Sequence, residues 1–154
     1  MDAVSVGLLG LGHVGSEVAR LLDRESGRIA RRSGRPIQVV SALVRDPSRD
    51  RKVPLRRDQI GTDWRRVVED PRVSVVIELM GGTTDTLPIM LGALEAGKDV
   101  VTANKALLAE HGSEIFAQAR KHGRSVSFEA SVGGGIPIVQ ALAVGLAANQ
   151  VQSL

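Results

Sequence analysis

Cysteine is absent from the 154 residues. That removes disulfides and thiolate metal sites, and it fits a reducing compartment without requiring one. Aromatics are nearly absent as well: Trp64, Phe116 and Phe128 stand without a tyrosine. Any core must therefore be aliphatic, and no stacking platform accompanies the basic residues, which argues against nucleic acid as a partner. No apolar run approaches the ~18 residues of a membrane span, so no membrane partner is expected. The first strand-like run begins three residues after Met1. That leaves no room for a signal peptide and points to a cytoplasmic protein.

What is present describes one globular domain. Hydrophobic residues make up 43% and charged residues 24%, a balance that excludes wholesale disorder. The formal net charge is +3, but arginine is concentrated at Arg28, Arg31, Arg32 and Arg35 and again at Arg45, Arg49, Arg51, Arg56 and Arg57. Most of these read as solvated surface, with one or two available for a phosphate. The 17 glycines fall in tight clusters, which suggests binding through backbone groups.

Strand-like and helical patterns alternate along the chain. Val4 to Leu9 is a short buried run ending in Gly10, and Val14, Val18, Leu21 and Leu22 then recur at helical spacing. An arginine-rich loop is expected from about Glu25 to Arg35, followed by a second strand from Ile37 to Val44. Asp63 is a plausible cap for a short helix that Pro71 stops. Val73 to Leu79 is the third strand, and Leu87, Met90, Leu91 and Leu94 mark a helix closed by Gly97. Asp99 to Thr102 is the fourth strand. A helical stretch after Asn104 is expected to be interrupted around Gly112 and Ser113 and to end near Gly123. Ser125 to Glu129 is the fifth strand, and Pro137 opens a final helix to about Ala148. Strict alternation with continuously apolar strands predicts an α/β fold: a Rossmann-type, doubly wound parallel sheet with helices on both faces. Gly10, Gly81, Asn104 and Ser131 then all stand at the C-terminal edge of that sheet.

Gly10-Leu11-Gly12-His13-Val14-Gly15 matches G-x-G-x-x-G between a strand and a helix, which is the context a dinucleotide loop needs. Gly10 permits the turn, Gly12 lets a pyrophosphate approach, and Gly15 lets helix and strand pack closely. The phosphates meet the positive end of the helix. His13 reads equally as a phosphate contact or an exposed first-turn side chain. At the end of the second strand, Val44-Arg45-Asp46 offers both an arginine for a 2′-phosphate and a carboxylate for a 2′-hydroxyl. Arg45 comes first and Lys52 can reinforce it, so NADP(H) is favoured with NAD(H) still usable. Gly82 and Thr83 after the third strand, and Thr102 and Lys105 at the end of the fourth, are expected on the nicotinamide side. A lysine among apolar and glycine neighbours points to cofactor or substrate contact more than to solvation.

The glycine loop, then Glu78-Leu-Met-Gly-Gly, then Thr102-Ala-Asn-Lys-Ala-Leu, then Phe128-Glu-Ala-Ser-Val-Gly-Gly-Gly-Ile-Pro-Ile, in this order and spacing, resemble the homoserine dehydrogenase family. The resemblance covers essentially the whole chain. It implies reversible NAD(P)-dependent interconversion of L-homoserine and L-aspartate 4-semialdehyde, on the route to threonine and methionine. It implies Lys105 as a catalytic lysine beside nicotinamide and a small-molecule substrate. It implies a structural sodium ion held by the backbone carbonyls of Glu129, Val132, Gly134 and Ile136, although the Glu129 carboxylate could instead be oriented by a helix N-terminus without a metal. The family commonly carries a small hydroxyl residue where His13 stands. Its further domain binds substrate and mediates dimerisation, so the resemblance implies a Rossmann domain over residues 1–150, the start of a truncated strand at 151–154, and a homodimeric parent. Two other readings stay open: a stand-alone dinucleotide-sensing module without catalysis, and another Rossmann dehydrogenase of similar N-terminal build.

Overall fold

The run Val4–Leu9 forms β1, buried along nearly its whole length, in a computed structural model that describes residues 2–148. Continuous burial is what a central parallel strand requires, because helices cover both of its faces. After the glycine loop come α1 (His13–Arg24), α2 (Ser26–Ser33) and β2 (Ile37–Leu43). A two-residue edge strand β3 (Ile60–Gly61) precedes α3 (Arg65–Val68) and β4 (Val75–Glu78). Then follow α4 (Thr86–Glu95), β5 (Asp99–Thr102), α5 (Lys105–His122), β6 (Val126–Ser127), α6 (Glu129–Val132) and α7 (Ile138–Gln140). The six strands lie in the order β3-β2-β1-β4-β5-β6, with every pairing parallel. This is the expected doubly wound sheet, with its reversal of strand order between β1 and β4.

Two apolar layers sandwich the sheet. On one face Leu9, Leu43, Val76 and Val100 meet Val67 and Val68 of α3, Met90 and Leu94 of α4, and Leu107 and Ile115 of α5. On the other, Val6, Leu8 and Ala42 meet Ala19 of α1. Gly15 makes the α1 approach possible: a Cβ there would run into the carbonyl oxygen of Gly10.

Four local expectations are corrected. The stretch expected as a loop from Glu25 to Arg35 carries α2: Arg28 pairs with Glu25 one turn back, Ser33 Oγ donates to the Ile29 carbonyl, and Gly34 ends the helix in the left-handed region. The helix after Asn104 is continuous through Gly112 and Ser113. A glycine costs a helix interior about 1 kcal/mol, and burial of Leu107, Gly112, Ile115 and Ala119 on one face offsets that. The fifth expected strand shrinks to Val126–Ser127, because Phe128 turns to pack edge-to-face on Phe116 with ring centres 5.2 Å apart. The final helix breaks after Gln140 into a wider turn closed by Leu146 N–H donating to Ala141 O at 2.9 Å. Strand β3 was not anticipated at all, since two residues leave no period to read. Residues 151–154, expected to open a further strand, lie outside the described residues.

Candidate functional site

The sheet places its C-terminal edge around a cavity of about 750 Å³. Three segments supply the walls. Gly10, Leu11 and Gly12 form the first; Leu43 to Asp46 with Arg49 and Arg51 form the second; Leu79 to Thr86 form the third, with Thr62 and Trp64 closing one side. Of the residues singled out from sequence, Gly10, Leu11, Gly12, Arg45, Gly82 and Thr83 line this cavity. His13 lies instead on a small adjoining depression of about 180 Å³ with Ser16, Arg20 and Arg51. Val14 is exposed, and Gly15 is buried against the strand as the close-packing glycine.

Arg45 is exposed at the cavity wall, and its guanidinium donates to no protein acceptor among the described residues. Asp46 beside it is already engaged: its carboxylate accepts from the Ser48 hydroxyl at 2.6 Å and the Ser48 amide at 2.9 Å. Those bonds hold Asp46 below the ordinary carboxylate range, with Arg51 and Arg49 adding to the effect. Arg51 is also engaged, since Nε donates to the Leu11 carbonyl at 3.2 Å and Nη1 to the Arg49 carbonyl at 2.8 Å. The arginine-rich loop is thereby pinned to the glycine loop. Lys52 does not line the cavity: it occupies the left-handed region at φ 45°, its amide bound to Asp50. The basic residues beside Arg45 at the cavity wall are thus Arg49 and Arg51, which sequence inspection saw only as part of an arginine-rich stretch.

At the other end of the cavity stands a buried polar group that the sequence marks only as the first residue of a motif. Glu78 ends β4 and is fully buried. Its Oε1 accepts from the amides of Met80 at 2.8 Å and Gly81 at 3.1 Å, and its Oε2 from the Thr102 hydroxyl at 2.6 Å. Thr102 therefore does not face the cavity; its hydroxyl is spent between Glu78 and the Asn104 amide, 3.0 Å away. Asn104 caps α5 by accepting from the Leu107 amide, and its Nδ2 donates to the Gly82 carbonyl at 2.7 Å. Lys105 opens α5, exposed and next to this cap. The signal in the sequence was an acidic residue closing an otherwise apolar strand.

Beyond β6, Ser131 Oγ donates to the Thr102 carbonyl at 2.8 Å and anchors α6 beneath β5. The Glu129 carboxylate accepts from the amides of Val139 at 3.0 Å and Gln140 at 3.2 Å, so it caps α7. Its carbonyl accepts from Gly133 and that of Ile136 from Ile138. The carbonyls of Val132 and Gly134 accept no hydrogen bond among the described residues. A set of neutral carbonyls with lone pairs to spare suits a hard cation by donor type. No three His, Cys, Asp or Glu side chains converge on a metal position among the described residues. Nor is any helix there long and apolar enough to cross a membrane.

A family model described as homoserine dehydrogenase, NAD binding domain, matches residues 10–129. Homoserine dehydrogenase of Pseudomonas aeruginosa is 46% identical over 154 residues, all of this chain and 35% of that protein. The Bacillus subtilis enzyme of the same name is 41% identical, again over the whole chain and 36% of its own length. The crystal structure of a homoserine dehydrogenase from Thiobacillus denitrificans superposes with a TM-score of 0.88 at 44% identity, covering 97% of this chain and 34% of that one. The chain thus spans about a third of the length of these relatives.

Proposed function

We propose, from the premise that this chain belongs to the homoserine dehydrogenase family through its NAD-binding domain, that it holds NADP(H) in preference to NAD(H). In this proposal it serves as the cofactor half of an enzyme that interconverts homoserine and aspartate 4-semialdehyde. The nicotinamide supplies or accepts the hydride when bound. The chain's own groups do the positioning. Gly10 to Gly12 and the first amides of α1 receive the pyrophosphate, at the positive end of a 12-residue helix. Gly82 and Thr83 bring backbone close to the far end of the cavity, and Lys105 moves the proton at the carbonyl oxygen of the substrate. The carbonyls of Glu129, Val132, Gly134 and Ile136 would hold a sodium ion as a structural brace. A dimeric parent and a cytoplasmic setting belong to the same proposal.

One observation carries the preference for a 2′-phosphate. Arg45 stands at the cavity wall without a protein partner among the described residues, whereas Asp46, the carboxylate that would select a 2′-hydroxyl, has its Oδ1 held by the Ser48 amide and hydroxyl. Calorimetric titration of NADPH and NADH into the chain and into Arg45→Ala tests it. Charge-assisted contacts of this type contribute roughly 1.5–3 kcal/mol. NADPH binding should therefore weaken by about tenfold or more while NADH changes far less. Equal losses for both cofactors would remove Arg45 as the phosphate reader.

A further inference from the structure

The polar groups between β4 and α5 form a closed circuit. Glu78 takes the amides of Met80 and Gly81 on one oxygen and the Thr102 hydroxyl on the other. Thr102 takes the Asn104 amide, and Asn104 reaches back to the Gly82 carbonyl. The turn from Met80 to Gly82 is therefore gripped from both sides, by Glu78 directly and by Asn104, whose amide is held by Glu78's partner Thr102. Thr86 adds a bond to the Gly81 carbonyl at 2.8 Å. Gly81 and Gly82 both lie in the left-handed region, at φ 72° and 73°, which lets the chain fold back after Glu78 has drawn two amides inward. The next amides, of Gly82, Thr83 and Thr84, donate to no protein acceptor among the described residues, and these residues line the cavity.

We propose that Glu78 is the positioning residue of this site: its carboxyl group sets the Met80–Thr83 turn and the start of α5 together, and so fixes where the cavity-facing amides and Lys105 stand. The proposal rests on the dinucleotide-binding reading for its consequence, but not for its geometry. A carboxylate suits the place because three donors converge on a fully buried group that must only accept. A glutamine offers one oxygen and one NH₂. With the oxygen toward the two amides, the NH₂ meets the Thr102 hydroxyl, which must reverse its own donation while still accepting from Asn104. An aliphatic residue would leave two desolvated amides unmet.

Lys98 supplies the control. It is almost as buried, at 7% exposure, and its Nζ donates to the carbonyls of Asp70 at 2.8 Å and Val73 at 2.7 Å. It sits between α4 and β5, at the opposite edge of the sheet from the cavity, and ties loops that do not line it.

The experiment compares the chain with Glu78→Gln, Thr102→Val, Thr102→Ser and Lys98→Met. Each is followed by thermal unfolding, by amide hydrogen exchange at Met80 and Gly81, and by NADPH and NADH titration. Glu78→Gln should speed exchange at both amides and weaken both cofactors by about tenfold, the effect of losing one charge-assisted contact. Lys98→Met should match or exceed its loss of thermal stability at unchanged affinity. Thr102→Val should repeat the Glu78→Gln pattern and Thr102→Ser should restore it, which keeps the test open if Glu78→Gln does not fold. Wild-type exchange and affinity in Glu78→Gln or Thr102→Val would overturn the proposal. So would affinity that falls in step with stability in Lys98→Met. If the unsubstituted chain binds neither cofactor while exchange still responds to Glu78→Gln, the positioning of the turn stands and the cofactor reading falls.

Discussion

Between β1 and α5, aliphatic side chains find each other. Leu8, Leu9, Met90, Leu94, Leu107 and Ile115 are fully buried, and every helix from α3 to α5 contributes to one continuous layer. Past Phe128 the same residue types face outward: Val132 is 50% exposed, Ile136 64% and Val144 70%. Propensity does not explain the contrast, since Leu, Ala and Val populate both regions. Helices in proteins are held mainly by burying a face, and a short one without a packing partner is marginal. Helix α5 persists for 18 residues through Gly112 because its inner face is covered, whereas the stretch from Ile138 divides into a three-residue helix and a wider turn.

Truncating the buried region should produce the largest effect. Leu94→Ala removes a fully buried side chain from the layer between α4 and the sheet. Core truncations of this kind destabilise by about 2–5 kcal/mol. Urea unfolding followed by circular dichroism reads it directly. A loss below about 1 kcal/mol would mean that the layer collapses around the gap and that the two regions differ less than their burial suggests.

Gly15→Ala comes next, because it strains a single contact between backbone segments. The added carbon would overlap the Gly10 carbonyl oxygen, so α1 must move away from the glycine loop. Overpacking costs roughly 1–3 kcal/mol, and the displacement should also weaken NADPH, since the loop loses its geometry. Unchanged unfolding and unchanged affinity would show that α1 can retreat freely, which its burial of Ser16 and Ala19 argues against.

The contrast also accounts for what could be read in advance. β1, β5 and the glycine loop were legible because continuous apolar runs and fixed glycine spacing are local signals. α2 was not, because its arginines look like loop composition and none of its residues is buried to leave an apolar pattern. Gly112 pointed to a break that tertiary packing overrode. At the site, the glycine loop, Arg45 and the Gly82–Thr83 turn were visible in the sequence. Glu78 and Arg51 were visible only as a motif residue and as part of an arginine-rich stretch; their bonding roles were not, for their partners are the amides of Met80 and Gly81 and the carbonyl of Leu11, and backbone groups leave no trace in residue identities. Thr102 was placed on the right strand end, but a buried acceptor behind it takes its hydroxyl.

A smaller effect sits at the turn into β4. Asp70 accepts from Arg72 Nη2 at 2.6 Å, from Nε at 3.0 Å and from the Arg72 amide at 2.9 Å. The Arg72 side-chain bonds do most to hold this carboxyl below its ordinary value of 3.8. A carboxylate depressed on folding stabilises the folded state above the unfolded value, and that contribution fades as pH falls through the folded one. Arg72→Ala should therefore lower stability slightly at neutral pH, with the difference from the unsubstituted chain shrinking as pH falls through the folded value of Asp70. Superimposable acid titrations of the two proteins would show that the pair contributes nothing in solution.

The smallest effect is expected in the outward-facing region, at Val144→Ser. At 70% exposure Val144 has little apolar area left to lose, and no core cluster includes it. Surface substitutions away from caps, cores and strained backbone stay within about 0.5 kcal/mol. Serine and valine also have nearly equal helix propensity, and the turn closed by Leu146 and Ala141 uses backbone groups alone. Urea unfolding of Val144→Ser beside Leu94→Ala therefore measures the contrast itself, with the two losses differing by severalfold. A loss above about 1 kcal/mol for Val144→Ser would mean that this side chain is packed in solution. Residues 129–148 would then share in the fold's stability rather than ride on it.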